Sequence, residues 1–389
     1  MDRDIIIIGG GPSGLSTALH LHRIAPHLTR RILILEKEHY PRLKLCAGGL
    51  TLDAEVILER LGLDVNEVPH VFADDIHFDF EAKGLRIRMP NRPALRVIRR
   101  DEFDNWLAEK AKSSGAEIRE GVSVKNIIPD NASVTVETDN GTYRAQIVVG
   151  ADGSNGVTRR SIFPKEPVYT ARVLEVLTPS HPPSISQKLG DVSEGRWGHA
   201  FFEFSPVPDN IAGYIWDFPT QIKGEPMRCW GIYDTNILAD GKRPQFKESL
   251  AHEMQKFGFN LSDYEIKGHP IRWFSPENQV SVPRVLLVGD AVGADPIFGE
   301  GISIALGYGA LAAREIHESI ERGEFSFRRF RRRVVRSALG QTLIARWLIA
   351  YIVYSLKWKW FQILLWRMLR PIVLLVAWVF VLGWGKRLR

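Results

Sequence analysis

The sequence predicts an α/β fold: a parallel, Rossmann-like sheet interrupted by an inserted antiparallel β-sheet and followed by a C-terminal helical region. Three observations carry this. Residues 4–36 read as apolar strand, glycine turn, helical segment and second strand. An apolar strand stopped by a small-residue turn then returns twice, at Gly150-Ala151-Asp152-Gly153 and at Gly289-Asp290-Ala291. Between those two turns lie short alternating strands of the kind that build an antiparallel sheet.

In the opening stretch, Ile5 to Ile8 form a β-branched run suited to a buried parallel strand, and 15–24 has the length and composition of a crossover helix. Gly9, Gly11 and Gly14 stand in G-x-G-x-x-G register, with Pro12 and Ser13 opening the helix. The first glycine permits a tight turn, the second lets a pyrophosphate approach the backbone, and the third allows helix and strand to pack closely. Free N–H groups at the helix start then hold the phosphates. Glu36 ends the second strand, where its carboxylate accepts from both ribose hydroxyls of an adenosine and repels a 2′-phosphate.

After Glu36 a Pro- and Gly-containing loop carries Lys44-Leu45-Cys46-Ala47-Gly48-Gly49, followed by a predicted helix over 52–61. The adjacent glycines allow backbone to approach a flat ligand with Cys46 facing it; a buried structural cysteine is the alternative on residues alone. Arg100 sits at the start of a predicted helix over 101–112. Strands are expected at 116–128, 133–138 and 143–149, with Asn140-Gly141 as a hairpin turn. Gly-Asp at the end of a parallel strand places Asp152 and Asp290 at the edge where such sheets bind ligands. A final helix is expected from Gly301 past Arg314. In the insertion, strands are expected at 172–178, 196–204, 213–217 and 227–233, with Trp197, Phe201, Tyr214, Trp216, Phe218 and Trp230 as an apolar wall.

Together, Gly9-x-Gly11-x-x-Gly14, Arg100-x-x-Phe103-Asp104, Gly150-Ala151-Asp152-Gly153, and Gly289-Asp290-Ala291 through Gly299-Glu300-Gly301-Ile302 resemble FAD-dependent oxidoreductases of the p-hydroxybenzoate hydroxylase fold group. Within that group the chain resembles the geranylgeranyl reductases, through the cysteine-glycine loop and through Tyr214-Ile215-Trp216-Asp217-Phe218-Pro219. It departs from the family pattern at Thr220, Gly156 and the spacing Cys46-Ala47-Gly48-Gly49. The resemblance implies FAD contacts from Gly9, Gly11, Pro12, Ser13, Gly14, Glu36, Lys37, Arg42, Cys46, Ala47, Arg100, Val124, Asp152, Gly289, Asp290, Gly299, Gly301 and Ile302. It also implies a flavin-facing loop of Cys46, Gly48 and Gly49, and a substrate wall containing Tyr214, Trp216, Phe218, Pro219, Trp230 and Phe298. The implied organisation is an FAD-binding domain over 1–167 with a short excursion into the substrate domain near 80–95, a substrate domain over 168–283, and the rest of the FAD-binding domain over 284–327.

Of the 51 Lys and Arg, 14 fall in 328–389 with no Asp or Glu, which leaves the body at −8. That tail also holds six of the eleven tryptophans. Basic residues interleaved with tryptophan and apolar runs suit the headgroup level of an anionic membrane. The longest uncharged run, 371–385, has 15 residues, short of the ~20 that span a hydrocarbon core. Interfacial helices are therefore the primary expectation for 328–389; a helical cap over the substrate channel and tilted spanning helices are the alternatives. Two cysteines are too few for a disulfide framework, and the first strand follows Met1 too closely for a signal peptide. These features lead to an expected cytoplasmic protein, peripheral on the cytoplasmic membrane face, with no nucleic acid partner and no metal site.

The expected function is FAD-dependent saturation of carbon–carbon double bonds in a membrane isoprenoid, a geranylgeranyl-type lipid or quinone chain. The lone G-x-G-x-x-G leaves NADPH binding transiently, or reduced ferredoxin, as electron donor. The rivals are a flavin monooxygenase or epoxidase acting on a quinone or polyene lipid, and a lipid-binding protein without catalysis.

Overall fold

The computed structural model describes residues 3–167, 169–181, 196–238 and 245–388. The expected boundary at Val168 and the terminal Arg389 lie outside the described residues.

The first strand, Arg3–Ile8, is the centre of an eight-stranded sheet. It pairs in parallel with Ile32–Leu35 on one side and Gly141–Gly150 on the other, with Ile5 opposite Ile32 and Ile147. Val285–Leu287 continues the parallel order beyond Gly141–Gly150, and Glu117–Arg119 continues it beyond Ile32–Leu35. Ile5 and Ile7 point into one core with the helices Pro12–Ile24 and Ile302–Arg322, while Ile6 and Ile8 point into another with Val134, Val136 and Val148. A strand buried on both faces must be apolar at every position, which is why the run is unbroken isoleucine. Full burial of each such side chain contributes about 1.5–3 kcal/mol.

The second large sheet has seven strands, in the order Lys267–Arg272, Thr170–Pro179, Glu225–Asp234, Gly213–Ile222, His199–Glu203, Asp75–Phe80 and Lys83–Arg88. All its pairs are antiparallel except His199–Glu203 with Asp75–Phe80. The edge hairpin 75–88 comes from the first part of the chain and lies slightly earlier than the expected excursion near 80–95. A small sheet of Gly49–Leu50, Leu95–Ile98 and His70–Ala73 joins the two.

The tail is bolted to the body. After Ala338–Ser355, the helical segments Lys359–Ile363, Leu364–Met368, Arg370–Val376, Ala377–Val381 and Trp384–Arg387 fold back over the second sheet and the helix Leu52–Arg60. Asp53 accepts from the N–H groups of Gly383 (3.1 Å) and Gly385 (2.7 Å). Arg60 donates to the carbonyls of Gly385, Lys386 and Leu388 at 2.6–2.8 Å. Trp384 is fully buried against Gly307 and Leu339. The segment expected to be interfacial thus folds as a helical cap on the body, the alternative expectation. Its outer face is apolar and exposed, at Ile372, Leu375, Trp378, Val379 and Phe380. No single helix among the described residues is long and apolar enough to cross a membrane; Lys359–Met368 with Arg370–Arg387 passes as a pair but is bent by 78°.

Candidate active site

The three turns read from the sequence meet at one place. Gly9 (φ +102°) brings its turn against the Ala151 carbonyl, where a Cβ would collide. A Cβ on Gly289 would reach Ser13 Oγ at 2.5 Å. Pro12 and Ser13 form the buried start of the first helix. Two helix N-termini are left without side-chain caps, behind Gly11 and behind Gly301. Above each lies open ground: a Cβ on Gly11 would meet only Arg42 at 3.4 Å, and one on Gly301 only Asp290 at 3.7 Å. Uncapped N–H groups with the positive end of the helix dipole suit a pyrophosphate at the first and a developing negative charge at the second.

Acidic and basic side chains form a paired cluster around the first turn. Glu36 is buried and accepts from the Gly10 N–H at 2.8 Å. Arg42 pairs with Asp104 at 2.9 Å, and its buried Nε, which makes no hydrogen bond, lies 3.7 Å from the Glu36 carboxylate. Arg100, the first residue of Arg100–Ser113, grips Asp104 through two bonds of 2.8 and 2.9 Å. An uncapped helix start with open space above Gly11 and the Arg42 guanidinium at its edge fits an FAD pyrophosphate, so the residues present suit the cofactor that the resemblance implies.

From the second helix start a cavity of about 370 Å³ runs between the seven-stranded sheet and the tail. Its polar end is lined by Lys44, Cys46, Arg100, Asp290, Glu175 and His269, with Ala47, Gly48, Gly49, Gly299, Gly301 and Ile302 alongside. Burial pushes Asp290 up, while Lys44 and Arg100 pull it back. Burial also raises the Cys46 thiol, whose sulfur accepts from the Gly48 N–H at 3.4 Å. Cys46 therefore stands at the cavity wall as a neutral thiol. The apolar end is built by Phe78, Phe202, Tyr214, Trp216, Phe218 and Phe298 from the body and by Val353, Leu365, Trp366, Val373, Val376 and Val381 from the tail. Phe202 meets Tyr214, Phe218 and Phe298 with ring centroids 5.0–5.8 Å apart, and Trp366 stacks on Phe204 at 4.1 Å. The Tyr214 hydroxyl donates to the Phe298 carbonyl, so the ring is fixed.

Several expected residues lie elsewhere. Trp230 faces the opposite side of its strand, against Phe257 and Phe259, because it pairs with Asp217 and shares that residue's outward parity. Pro219 has the same parity and does not line the cavity. Phe202 takes the place expected for Phe201, which stacks on His77 outside; Trp197 is likewise outside the cavity wall. Asp152 accepts from the Thr158 N–H (2.8 Å) and hydroxyl (3.0 Å) through Oδ2, leaving its Oδ1 buried and unpartnered. A side chain at Gly156 would collide with that carboxylate, which accounts for the missing serine. Lys37 is exposed and pairs loosely with Glu38. Val124 packs at the edge of the second core, and it is Val122 whose N–H reaches the Glu36 carbonyl, at 3.0 Å.

The residue whose partners the sequence did not reveal is Arg346. It is 2 % exposed and donates to Asp295 (3.0 Å), Glu300 (2.6 Å) and the Val381 carbonyl (2.9 Å). It thereby joins the tail to the loop that precedes the second helix start. A lone arginine inside the apolar run 342–354 is the signal that such a partner exists. Among the described residues, Asp75, His77 and His199 bring ligand-type atoms within 4.8 Å of one another. Arg86 and Arg88 share the same aspartate, so the cluster is satisfied as an ion-pair network.

Known proteins with the same arrangement are recognisable. Residues 2–227 match the family of FAD binding domains. An uncharacterised protein of Methanosarcina barkeri is 30% identical over 86% of this chain and 80% of its own length. A rifampicin monooxygenase of Streptomyces venezuelae is 29% identical over 78% of this chain and 61% of that protein. The digeranylgeranylglycerophospholipid reductase of Thermoplasma acidophilum is 26% identical over 83% of this chain and 80% of its own. The crystal structure of a geranylgeranyl bacteriochlorophyll reductase-like protein from the same organism superposes with TM-score 0.78 at 20% identity, covering 98% of this chain and 97% of that one. The chain belongs to the FAD binding domain family, as an FAD-dependent oxidoreductase homologous to the geranylgeranyl-type lipid reductases.

Proposed function

We propose that this oxidoreductase saturates carbon–carbon double bonds of an isoprenoid lipid taken from an anionic membrane surface on the cytoplasmic side. The observation that carries the reading is the cavity. It is apolar over most of its length, begins at the Cys46 loop, and is closed by tail segments whose opposite face is exposed and apolar. Ile372 lines the cavity and is 56% exposed, so it marks a mouth facing the same side as Leu375, Trp378 and Phe380. A long hydrocarbon chain loses nothing on moving from a bilayer into such a channel, and the exposed Arg370 beside the mouth suits anionic headgroups.

FAD, when bound and reduced, supplies the hydride. Gly11 and the first helix start would hold its pyrophosphate, Glu36 its ribose, and Gly299 to Ile302 with Cys46 would border the ring. The chain's own contribution is position and dryness: Phe202, Tyr214, Phe218 and Phe298 confine one segment of the substrate, and the tail excludes water. NADPH or reduced ferredoxin would renew the reduced flavin.

The monooxygenase reading keeps one supporting observation, the similarity to the rifampicin enzyme. Mass spectrometry of geranylgeranyl lipids offered to the reduced protein separates the two. Hydrogen gain in the absence of oxygen supports reduction, and oxygen gain that requires air supports the rival and overturns the proposal.

A further inference from the structure

Saturating an alkene takes a proton as well as a hydride, and no motif of the sequence names its donor. Five residues line both the substrate cavity and a second, polar cavity of about 190 Å³ behind it: Lys44, Leu45, Cys46, Arg100 and Glu175. The second cavity is also lined by Arg99, Asp101, Glu265 and Lys267 and leads away from the apolar channel. Glu175 lies on Thr170–Pro179 between Gly231 and Lys267 of the flanking strands, and its Oε2 is buried without a hydrogen-bond partner. A carboxyl oxygen with no partner, in a wall shared by a dry cavity and a polar one, has nothing to do in the resting fold.

We infer that Glu175 is the acid that protonates the substrate, recharged from solvent through the second cavity. This role rests on the reductase reading. One alkene carbon takes the hydride from reduced FAD. The π pair bonds the other carbon to the proton of the Glu175 carboxyl, and the carboxylate left behind takes a proton from water in the polar cavity. The flavin ends oxidised by two electrons, which an external nicotinamide or iron–sulfur donor replaces.

The other polar groups at this wall are poorer donors. Arg100 is committed to Asp104 through two hydrogen bonds. Cys46 would leave a thiolate that its burial disfavours. His269, whose Nδ1 is also unpartnered, is held down to about 3 by burial, Lys44 and Arg100, so it is neutral and has no proton to spare. Burial lowers Lys44, and the charge of Asp290 opposes that and favours its keeping its proton. Glu175 itself is raised to about 7 by burial, against the pull of Arg99, the Cys46 N–H, Lys267 and Lys44. The thiols of Cys46 and Cys229 face it as well. A carboxyl poised near neutrality both gives and regains a proton efficiently.

The test compares wild type, Glu175→Gln and Glu175→Asp as FAD-bound full-length proteins. Infrared pH-difference spectra of wild type should contain a protonated carboxyl that titrates near neutrality and is absent from Glu175→Gln. With enzyme reduced by dithionite without oxygen, reoxidation of the flavin by a geranylgeranyl lipid should slow at least about 100-fold in Glu175→Gln. Glu175→Asp should recover part of the rate, and the neutral limb of the pH profile should vanish only in Glu175→Gln. An equal rate and pH profile in Glu175→Gln, or no titrating carboxyl in wild type, overturns the inference and leaves the reductase reading standing. A wild-type protein that shows the titrating carboxyl but adds hydrogen to no isoprenoid overturns the reductase reading, and this role with it.

Discussion

Replacing Arg346 with methionine should weaken both the tail's attachment and the flavin site, although the residue lies in neither nucleotide motif. The substitution keeps much of the volume and removes the guanidinium, leaving Asp295 and Glu300 in a buried site with no cation between them. Removing one partner of a buried ion pair costs about 3–5 kcal/mol, because the surviving charge is stranded. Asp295 has a way out. Burial already raises it to about 6 against the pull of Arg346, and losing Arg346 raises it further. A carboxyl raised in the folded state gives stability that is lost as pH climbs through its folded value, at about 1.4 kcal/mol per pH unit. The variant's deficit should therefore be largest, about 3 kcal/mol or more, near pH 8, and should shrink towards pH 5 as Asp295 takes its proton. Urea unfolding at a series of pH values, followed by tryptophan and flavin fluorescence, reads both quantities. A deficit below about 0.5 kcal/mol at every pH, within the range of ordinary surface substitutions, would refute the view that Arg346 holds the tail to the loop.

Other outcomes follow from the same geometry. Gly11→Leu should fold with nearly unchanged stability yet bind no FAD, since its Cβ meets only the end of Arg42 while the pyrophosphate ground is filled; flavin absorbance of the purified variant decides this. Cys46→Ser should keep FAD and fold but reduce alkenes more slowly, and loss of folding with normal specific activity would mark the cysteine as structural. Trp378→Glu with Phe380→Glu, on the exposed face, should leave FAD binding intact and abolish flotation with anionic vesicles; unchanged flotation would show that this face is not what meets the membrane, and a wild type that does not float would remove membrane binding altogether. Wild-type stability should fall from about pH 4 to pH 6, because burial raises Asp53, Asp79 and Asp295 to about 6 and Glu175 to about 7, outnumbering His20 and His269, which burial lowers to about 4 and about 3 and which act in the opposite sense; thermal melts across that range give the slope.

The strand–turn–helix elements were legible because local rules set them: consecutive apolar residues for a strand covered on both faces, and glycine where backbones touch. The cysteine loop and the even-numbered aromatics Tyr214, Trp216 and Phe218 lie at the cavity for the same reason, since residues two apart share a face. Trp230 and Pro219 were misplaced by one step of parity. Pairing Gly213–Ile222 with Glu225–Asp234 sets Trp230 opposite Asp217 and so outside the cavity. Asp152 also binds Thr158, six residues on, through one carboxylate oxygen, a partner the motif does not reveal. The tail was the harder case. Its composition reports an apolar, basic surface. That its other face closes the channel depends on contacts of Arg346 with residues about fifty positions away, and of Asp53 and Arg60 with residues more than three hundred away.

A single-turnover reaction tests the proposed alkene reduction most directly. Enzyme with its FAD reduced, held without oxygen, is mixed with a geranylgeranyl lipid in anionic vesicles while flavin absorbance is followed and the lipid is weighed by mass spectrometry. Reoxidation of one flavin for each pair of hydrogens gained by the lipid is the predicted result. Flavin that stays reduced until air is admitted, with lipid that is unchanged or has gained oxygen, would contradict it.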